Sequence, residues 1–349
     1  MTSLHDVTDK IKLLAKSIFI ATAAFFVIFL LYKIGIAVKE YFYPTPPTPP
    51  TVSFGKLPPL DFPQNLFEGK KFTYTLDTLT GQLPNFPDRA TIHKIIQATP
   101  NLLALERAQK NVAQVGFTGK PIRISDIEYV WNEQTAPSRK LQMDVLSFNL
   151  VVSSDYLNDQ NILAAKNLLD EQQAKNIVQT FLSSLKNTPK DIDTEKTKTS
   201  LLTITNNSLL PATSLSNTKI IRVDYFQKEI NKLSIYYASY PLSSLHFLVG
   251  STQNGLSVVA ANFPHQAVDE NSSATYPIKT AEDAFVLLKE GKGYIALSPA
   301  NGGNINIKNV VLGYYLGDTP QKFLLPIIIF EGNNFYAYIP AVKDEWIQE

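Results

Sequence analysis

Four histidines, His5, His93, His246 and His265, are the side chains best suited to moving protons near neutral pH. None stands at a metal-ligand spacing such as H-x-x-x-H. His5 sits in a short tail before an apolar run, and His246, in SLHFLV, alternates within a strand pattern, so each reads as an ordinary surface or half-buried residue. His265, Asp269 and Ser272 write out as a triad, but all three fall in one loop and no G-x-S-x-G elbow occurs. The segment DIDTE places Asp191, Asp193 and Glu195 at alternate positions, as hard-cation loops do. It lacks the turn glycine and the distal bidentate Glu, and Lys190 and Lys196 flank it, so it reads as a solvated loop. EGKGY (Glu290 to Tyr294) is no phosphate loop; its glycines end a helix and open a turn. Tyr236, Tyr237, Tyr240, Tyr314, Tyr315, Phe335, Tyr336 and Tyr338 concentrate in strand-like segments, where core packing and cross-strand pairs account for most of them and an exposed patch for a protein or glycan is the alternative. No catalytic, cofactor-binding or metal-ligating set is assigned.

Composition narrows the chemistry further. The 349 residues contain no cysteine, which excludes disulfides, thiolate metal sites and thiol catalysis. A net charge of +1 offers no basic excess for a phosphate backbone, so nucleic acid is not an expected partner. With 44% hydrophobic and 18% charged residues the chain is apolar enough to fold.

The strongest organising signal is SIFIATAAFFVIFLLYKIGIAV, Ser17 to Val38, interrupted only by Lys33. About 20 apolar residues cross ~30 Å of hydrocarbon. Lys33 can snorkel its ammonium to the headgroups, and Tyr32, Tyr41, Phe42 and Tyr43 suit an interfacial belt. The run is longer than a signal-peptide core and no A-x-A site closes it, so an uncleaved anchor in membrane lipid is expected, with residues 1–16 as a cytoplasmic tail and the remainder extracytoplasmic. Residues 39–63 hold YPTPPTPPTVSFGKLPPLDFP, where proline excludes both helix and central strand; a polyproline II stalk is expected, roughly 60 Å if extended.

Beyond the stalk the pattern predicts an α+β domain in three parts: an α+β module over 64–190, a β-meander over 191–270 and a C-terminal α+β module over 271–349. Helices are predicted at Leu102 to Val115, Glu171 to Lys186 and Thr280 to Glu290, with Thr280 as N-cap. Strands are predicted at Phe72 to Pro84, Ile122 to Trp131, Lys140 to Ser154, Ile220 to Phe226, Lys232 to Ala238, Ser244 to Gly250 and Gly255 to Ala261. Three more are predicted at Ile305 to Tyr315, Lys322 to Glu331 and Asn334 to Ala341, with tight turns at Asn254-Gly255 and Gly332 to Asn334. Two stretches repeat one plan, a helix ending in glycine (Gly116, Gly291) followed by antiparallel strands opening Ile122-x-Ile124 and Ile305-x-Ile307.

The last of these stretches has a YP lead, an A-x-x-A-F-x-x-L-K helix, a G-Y-Y strand and then P-I-I-I-F-E-G with a closing strand. It resembles the C-terminal module of the YycH/YycI proteins and PepSY-like domains more broadly, over roughly the last 75 residues, with a looser echo at Leu102 to Ser154. That resemblance implies a single-pass extracytoplasmic protein that touches and regulates a membrane sensor kinase. The resulting expectation is a non-enzymatic regulatory or interaction protein with a protein partner in the envelope. The alternative is an envelope structural or ligand-binding protein contacting wall polymer. Oligomeric state is left open.

Overall fold

The computed structural model describes residues 4–42, 49–64, 67, 69–133, 138–165, 170–299 and 302–348. The chain divides into two units, Met1–Pro49 and Pro50–Glu349.

The first unit is a single helix, α1 (Leu4–Phe42), of 39 residues, about 58 Å long at 1.5 Å per residue. Its Ile18–Ile36 stretch has a mean hydropathy of 2.2 and buries nothing against protein. A helix of a water-soluble core hides at least one stripe; this one presents apolar side chains all round, with length and composition sufficient to cross a membrane. The residues expected to form a separate tail continue the same helix from Leu4. Tyr43 to Thr48 of the expected stalk lie outside the described residues, as do the side chains of Tyr41 and Phe42.

The second unit is α+β. In chain order its strands are β1 (Phe72–Leu76), β2 (Arg89–Ile95), β3 (Ile122–Arg123), β4 (Glu128–Glu133), β5 (Arg139–Asp144), β6 (Leu150–Ser154), β7 (Ile192–Thr205), β8 (Ser208–Pro211) and β9 (Ile220–Gln227). There follow β10 (Ile235–Tyr236), β11 (His246–Thr252), β12 (Gly255–Phe263), β13 (Val268–Pro277), β14 (Tyr294–Leu297), β15 (Gly303–Tyr315), β16 (Phe323–Gly332) and β17 (Phe335–Pro340). The helices are α2 (Ala104–Ala113), α3 (Gln160–Ala164), α4 (Glu171–Ser184) and α5 (Ala281–Lys289).

One sheet has nine antiparallel strands in the order β3-β4-β5-β6-β12-β11-β9-β7-β8. Alternation along β9 sends Ile221 and Val223 to the face covered by α2 and α4, and Ile220 to the other, where Ile162 of α3 meets Leu248 and Val259. α4 starts at Asp170, whose carboxylate accepts from Gln173 N while the Gln173 side chain accepts from Asp170 N. This reciprocal cap is the expected start of an amphipathic helix. The helix buries Val178, Phe181 and Leu182, each contributing roughly 1.5–3 kcal/mol.

The other sheet has eight strands, with β1-β15-β16-β17-β14 in line, β10 also on β15, and β2 joining β16 to β13. α5, capped by Thr280 as expected, packs Ala284 and Leu288 against Ile328, Phe330 and Ile339. The turn at Gly332 to Asn334 forms as read, with Gly332 paired to Phe335; the tight turn expected at Asn254-Gly255 falls one residue earlier, at Gln253-Asn254, because Thr252 pairs with Gly255 and Gly255 opens β12.

Four further expectations change. The linear three-part division gives way to one compact unit, because β1 and β2, from the predicted first module, complete the sheet of the last one. The apolar strand β15 would otherwise expose an unpaired edge. That sheet is mixed, since β1 and β10 pair parallel with β15. The stretches Ile122 to Trp131 and Lys140 to Ser154 each split at a tight turn into two strands, β3–β4 and β5–β6. Finally, Pro50 to Pro63 is packed rather than free. Val52 N donates to Thr275 O, Leu57 is fully buried, and Leu57 N and O bond Trp346 O and Gln348 N, so this strap and the C-terminal turn clasp each other over β2 and β13. Proline bars the strap from a ladder interior but leaves Phe54, Leu57 and Leu60 free to bury apolar surface.

Candidate functional site

The chemistry-bearing residues converge around β7, β9 and the loop after β12. Asp191, just before β7, meets His265: Nε2 lies 2.8 Å from Asp191 Oδ1 and 3.0 Å from Oδ2. Gln227, the last residue of β9, donates to Asp191 Oδ2 at 2.8 Å and to Gln266 O at 3.0 Å, and its own N–H donates to Tyr237 Oη. Burial pushes the Asp191 carboxyl up, but the hydrogen bonds and charge of His265 and the bond from Gln227 outweigh it, leaving it below its ordinary value. The ring of His265 stacks on Phe263 at 6.0 Å. This pair ties three segments together. Asp269 and Ser272 are not its partners: Asp269 accepts from Asn271 N, and Ser272 falls in the irregular part of β13.

The DIDTE residues separate. Asp193 Oδ1 accepts from Glu195 N at 3.1 Å and Lys196 N at 3.2 Å, an Asx-type turn. Here β7 bulges: Asp193 is opposite Phe226 and Lys198 opposite Asp224, so Thr194 to Thr197 all stand across from the single residue Tyr225. Among the described residues no three His, Cys, Asp or Glu side chains gather as a metal site.

On one side of the bulge a cleft of about 250 Å³ opens between Lys196, Lys198, Phe226 and Tyr240. Lys198 Nζ stands 5.2 Å over the Phe226 ring and 5.8 Å over the Tyr240 ring. Lys196 pairs with Glu229 at 2.7 Å at its edge. Tyrosines continue the surface. Tyr240 crosses Tyr336 at 4.8 Å and Tyr236 at 4.8 Å, and Tyr236 Oη donates to Glu331 Oε1 at 3.3 Å. Deeper rings have internal duties: Tyr338 Oη donates to Tyr237 O, Tyr294 Oη to Ala238 O and Tyr314 Oη to Thr91 O. Phe335 and Tyr315 are fully buried. Burial raises Tyr236 and Tyr240, and the Glu331 carboxylate raises them further. They therefore remain neutral donors that can stack or hydrogen-bond. Of the sequence-singled tyrosines, only Tyr240 and Tyr336 keep partial exposure on this face.

The remaining histidines are internal. His93, in the centre of β2, is buried; its Nε2 lies 2.9 Å from Asn231 Nδ2 while Nδ1 has no partner, and burial lowers its pKa. His246 Nδ1 faces the carbonyls of Ser243 and Ser244, and burial, then the Arg222 charge, lowers it. The side chain of His5 lies outside the described residues. Gly291, in the left-handed region, ends α5, so EGKGY is a helix stop.

Sequence reading missed two buried ion pairs. Arg222 makes a two-pronged contact with Asp224 at 2.8–3.0 Å, and Ser243 N caps the same carboxylate. Arg139 bonds Glu133 and Val258 O and lies 5.1 Å over Phe117. A charge at a core-facing strand position was the available signal.

No family model matches the chain, and no curated protein matches it. Among solved structures it is similar to an uncharacterized protein from Eubacterium rectale, at 11% identity over 72% of this chain and 82% of that one, TM-score 0.36. It is also similar to the Bacillus megaterium YpeB C-terminal domain, at 13% identity over 71% of this chain and 95% of that one, TM-score 0.29.

Proposed function

We propose that this is a membrane-anchored protein whose extracytoplasmic β-rich unit acts by contact rather than catalysis, modulating a membrane sensor. One observation carries the reading: a 19-residue stretch of α1, Ile18–Ile36, is apolar on all sides and covered by nothing, an arrangement that hydrocarbon satisfies and water does not. The roles of the titratable groups agree with it. His265 and Asp191, Arg139 and Glu133, and Arg222 and Asp224 are engaged with each other inside the fold. The half-exposed Tyr240–Tyr336 edge beside Lys198 offers a contact face of the composition that protein interfaces favour.

The test is photo-crosslinking in native membranes from probes at Tyr240 and Tyr336, with protease shaving of intact cells to fix the topology. Recovery of a sensor kinase supports the proposal; crosslinks to wall polymer or to other copies alone would reject it, as would a second unit cut only after lysis. A wall-polymer reading is the second choice, since an open tyrosine ring beside an ammonium and Glu331 also suits a sugar ring.

A further inference from the structure

The other side of the β7 bulge carries a separate site. Where Thr194 to Thr197 lift away from β9, a cleft of about 310 Å³ opens between the strand and α4, with Tyr225 at its base. Ligand pockets begin at about this size. Leu182 and Ile192 supply an apolar wall. Gln172, Lys175 and Gln179, at helical spacing on one face of α4, line the opposite rim.

Tyr225 is the decisive residue. It is 8% exposed, and its ring packs edge-on to Phe247 at 6.0 Å in the core beneath the cleft. Its N–H is spent on Leu245 O. Among the described residues its hydroxyl bonds to nothing, and it is not one of the sealed polar atoms, so it opens into the cleft. Burial pushes it up to about 12, which keeps the proton on as a donor. The ring beneath is held in the core while the hydroxyl at its tip meets the cleft, so a ligand acceptor can take the place of water there. The bulge is itself braced by the two bonds to Asp193 Oδ1, so the opening is a built feature of the strand.

We infer that this cleft binds a small carboxylate with an apolar body and an amide, such as an N-acylated amino acid or a free peptide end. The lining points to that chemistry. It offers a hydroxyl donor at the base, side-chain amides at the rim, one ammonium, Lys175, and no carboxylate to repel an anion. The acyl carbonyl would accept from Tyr225, the apolar side chain would lie on Leu182 and Ile192, and the carboxylate would meet Lys175. This goes beyond the contact function proposed above and does not depend on it.

The experiment uses the full chain in lipid nanodiscs, titrated with N-acetyl-phenylalanine and followed by ligand-observed NMR and calorimetry. Saturable one-to-one binding is expected. Y225F keeps the ring packing and deletes the donor; K175Q deletes the cation. Each should weaken binding about tenfold or more, the loss of one hydrogen bond or charge contact. The neutral N-acetyl-phenylalaninamide should bind about tenfold more weakly than the acid and be indifferent to K175Q. Absence of saturation with the wild-type chain overturns the inference, and so does wild-type affinity in both variants. Should Y225F lose its folded midpoint, Gln179→Ala at the exposed rim carries the same comparison.

Discussion

Replacing Glu133 by Met should expose how much of this fold rests on one internal charge pair. Glu133 and Arg139 face each other at the loop end of the β4–β5 hairpin, with side chains only 10% and 9% exposed. Arg139 has two other supports, Val258 O at 2.8 Å and the Phe117 ring. Without Glu133 the guanidinium keeps those but loses its counter-charge in a largely buried site, a loss of about 3–5 kcal/mol. That is a third or more of the ~5–15 kcal/mol by which a domain is stable. Gly116 at the end of α2 adds a local constraint: it has φ +98°, and a Cβ there would stand 2.9 Å from Glu133 Oε1, so the helix terminus and the pair are packed as one. The double variant Glu133→Met with Arg139→Met removes both charges and should recover most of the loss. Urea denaturation of the intact chain reads this directly, because Trp131 lies fully buried on β4 two residues away. The reasoning is refuted if E133M costs less than about 1 kcal/mol, or if the double variant is no better than the worse single one.

Three further outcomes follow from the packing. Burial depresses the imidazoles of His93 and His246. The unfolded chain therefore takes up protons first, near pH 6.5, and stability is complete above that pH and falls as pH drops toward the folded values, by up to ~1.4 kcal/mol per unit per group; thermal midpoints at pH 7.5 and 5.5 should show the decline, and His246→Asn should flatten it. Gly313→Ala would set a Cβ 2.7 Å from the Tyr236 ring and 2.9 Å from Ile329 Cδ1, so a loss of about 1–3 kcal/mol is expected from overpacking, visible as a lower urea midpoint. Leu57→Ala, at a site with no exposure, should cost about 2–5 kcal/mol; hydrogen exchange should quicken at Val52 and Leu57 and at Trp346 to Gln348 well before β16 is affected.

The local parts of the fold were legible because their signals are local. Thr280 and Gly291 bracket α5, the apolar spacing of α4 is intact, and the Gly332 to Asn334 turn is short-range chemistry. Pairing across the chain was not. β1 meets β15 across 231 residues, from Phe72 to Gly303, and nothing in FTYTL names that partner. β7 escaped notice because its first half, IDTEKTKT, is polar and bulged, so no period-2 pattern survives there. For the site, DIDTE was visible as a cluster, but its division into one residue that pairs with His265 and one that braces a bulge is set by tertiary contacts. Tyr225 left a faint trace. In IIRVDYFQ it follows Ile221 and Val223 on the core-facing phase, where a hydroxyl needs a reason.

The strap has a mechanical consequence. Tension carried along the chain into the second unit arrives at Pro50, and the first bonds it meets are Val52 to Thr275 and Leu57 to Trp346 and Gln348. Together with the Leu57–Ile347 bridge, these bonds take up load before the strands behind them do. The strap thus works as a fuse: it can give way, lengthen the tether by about a dozen residues and leave both sheets standing. A protease that clipped the tail after Val342 would lower the force at which it yields.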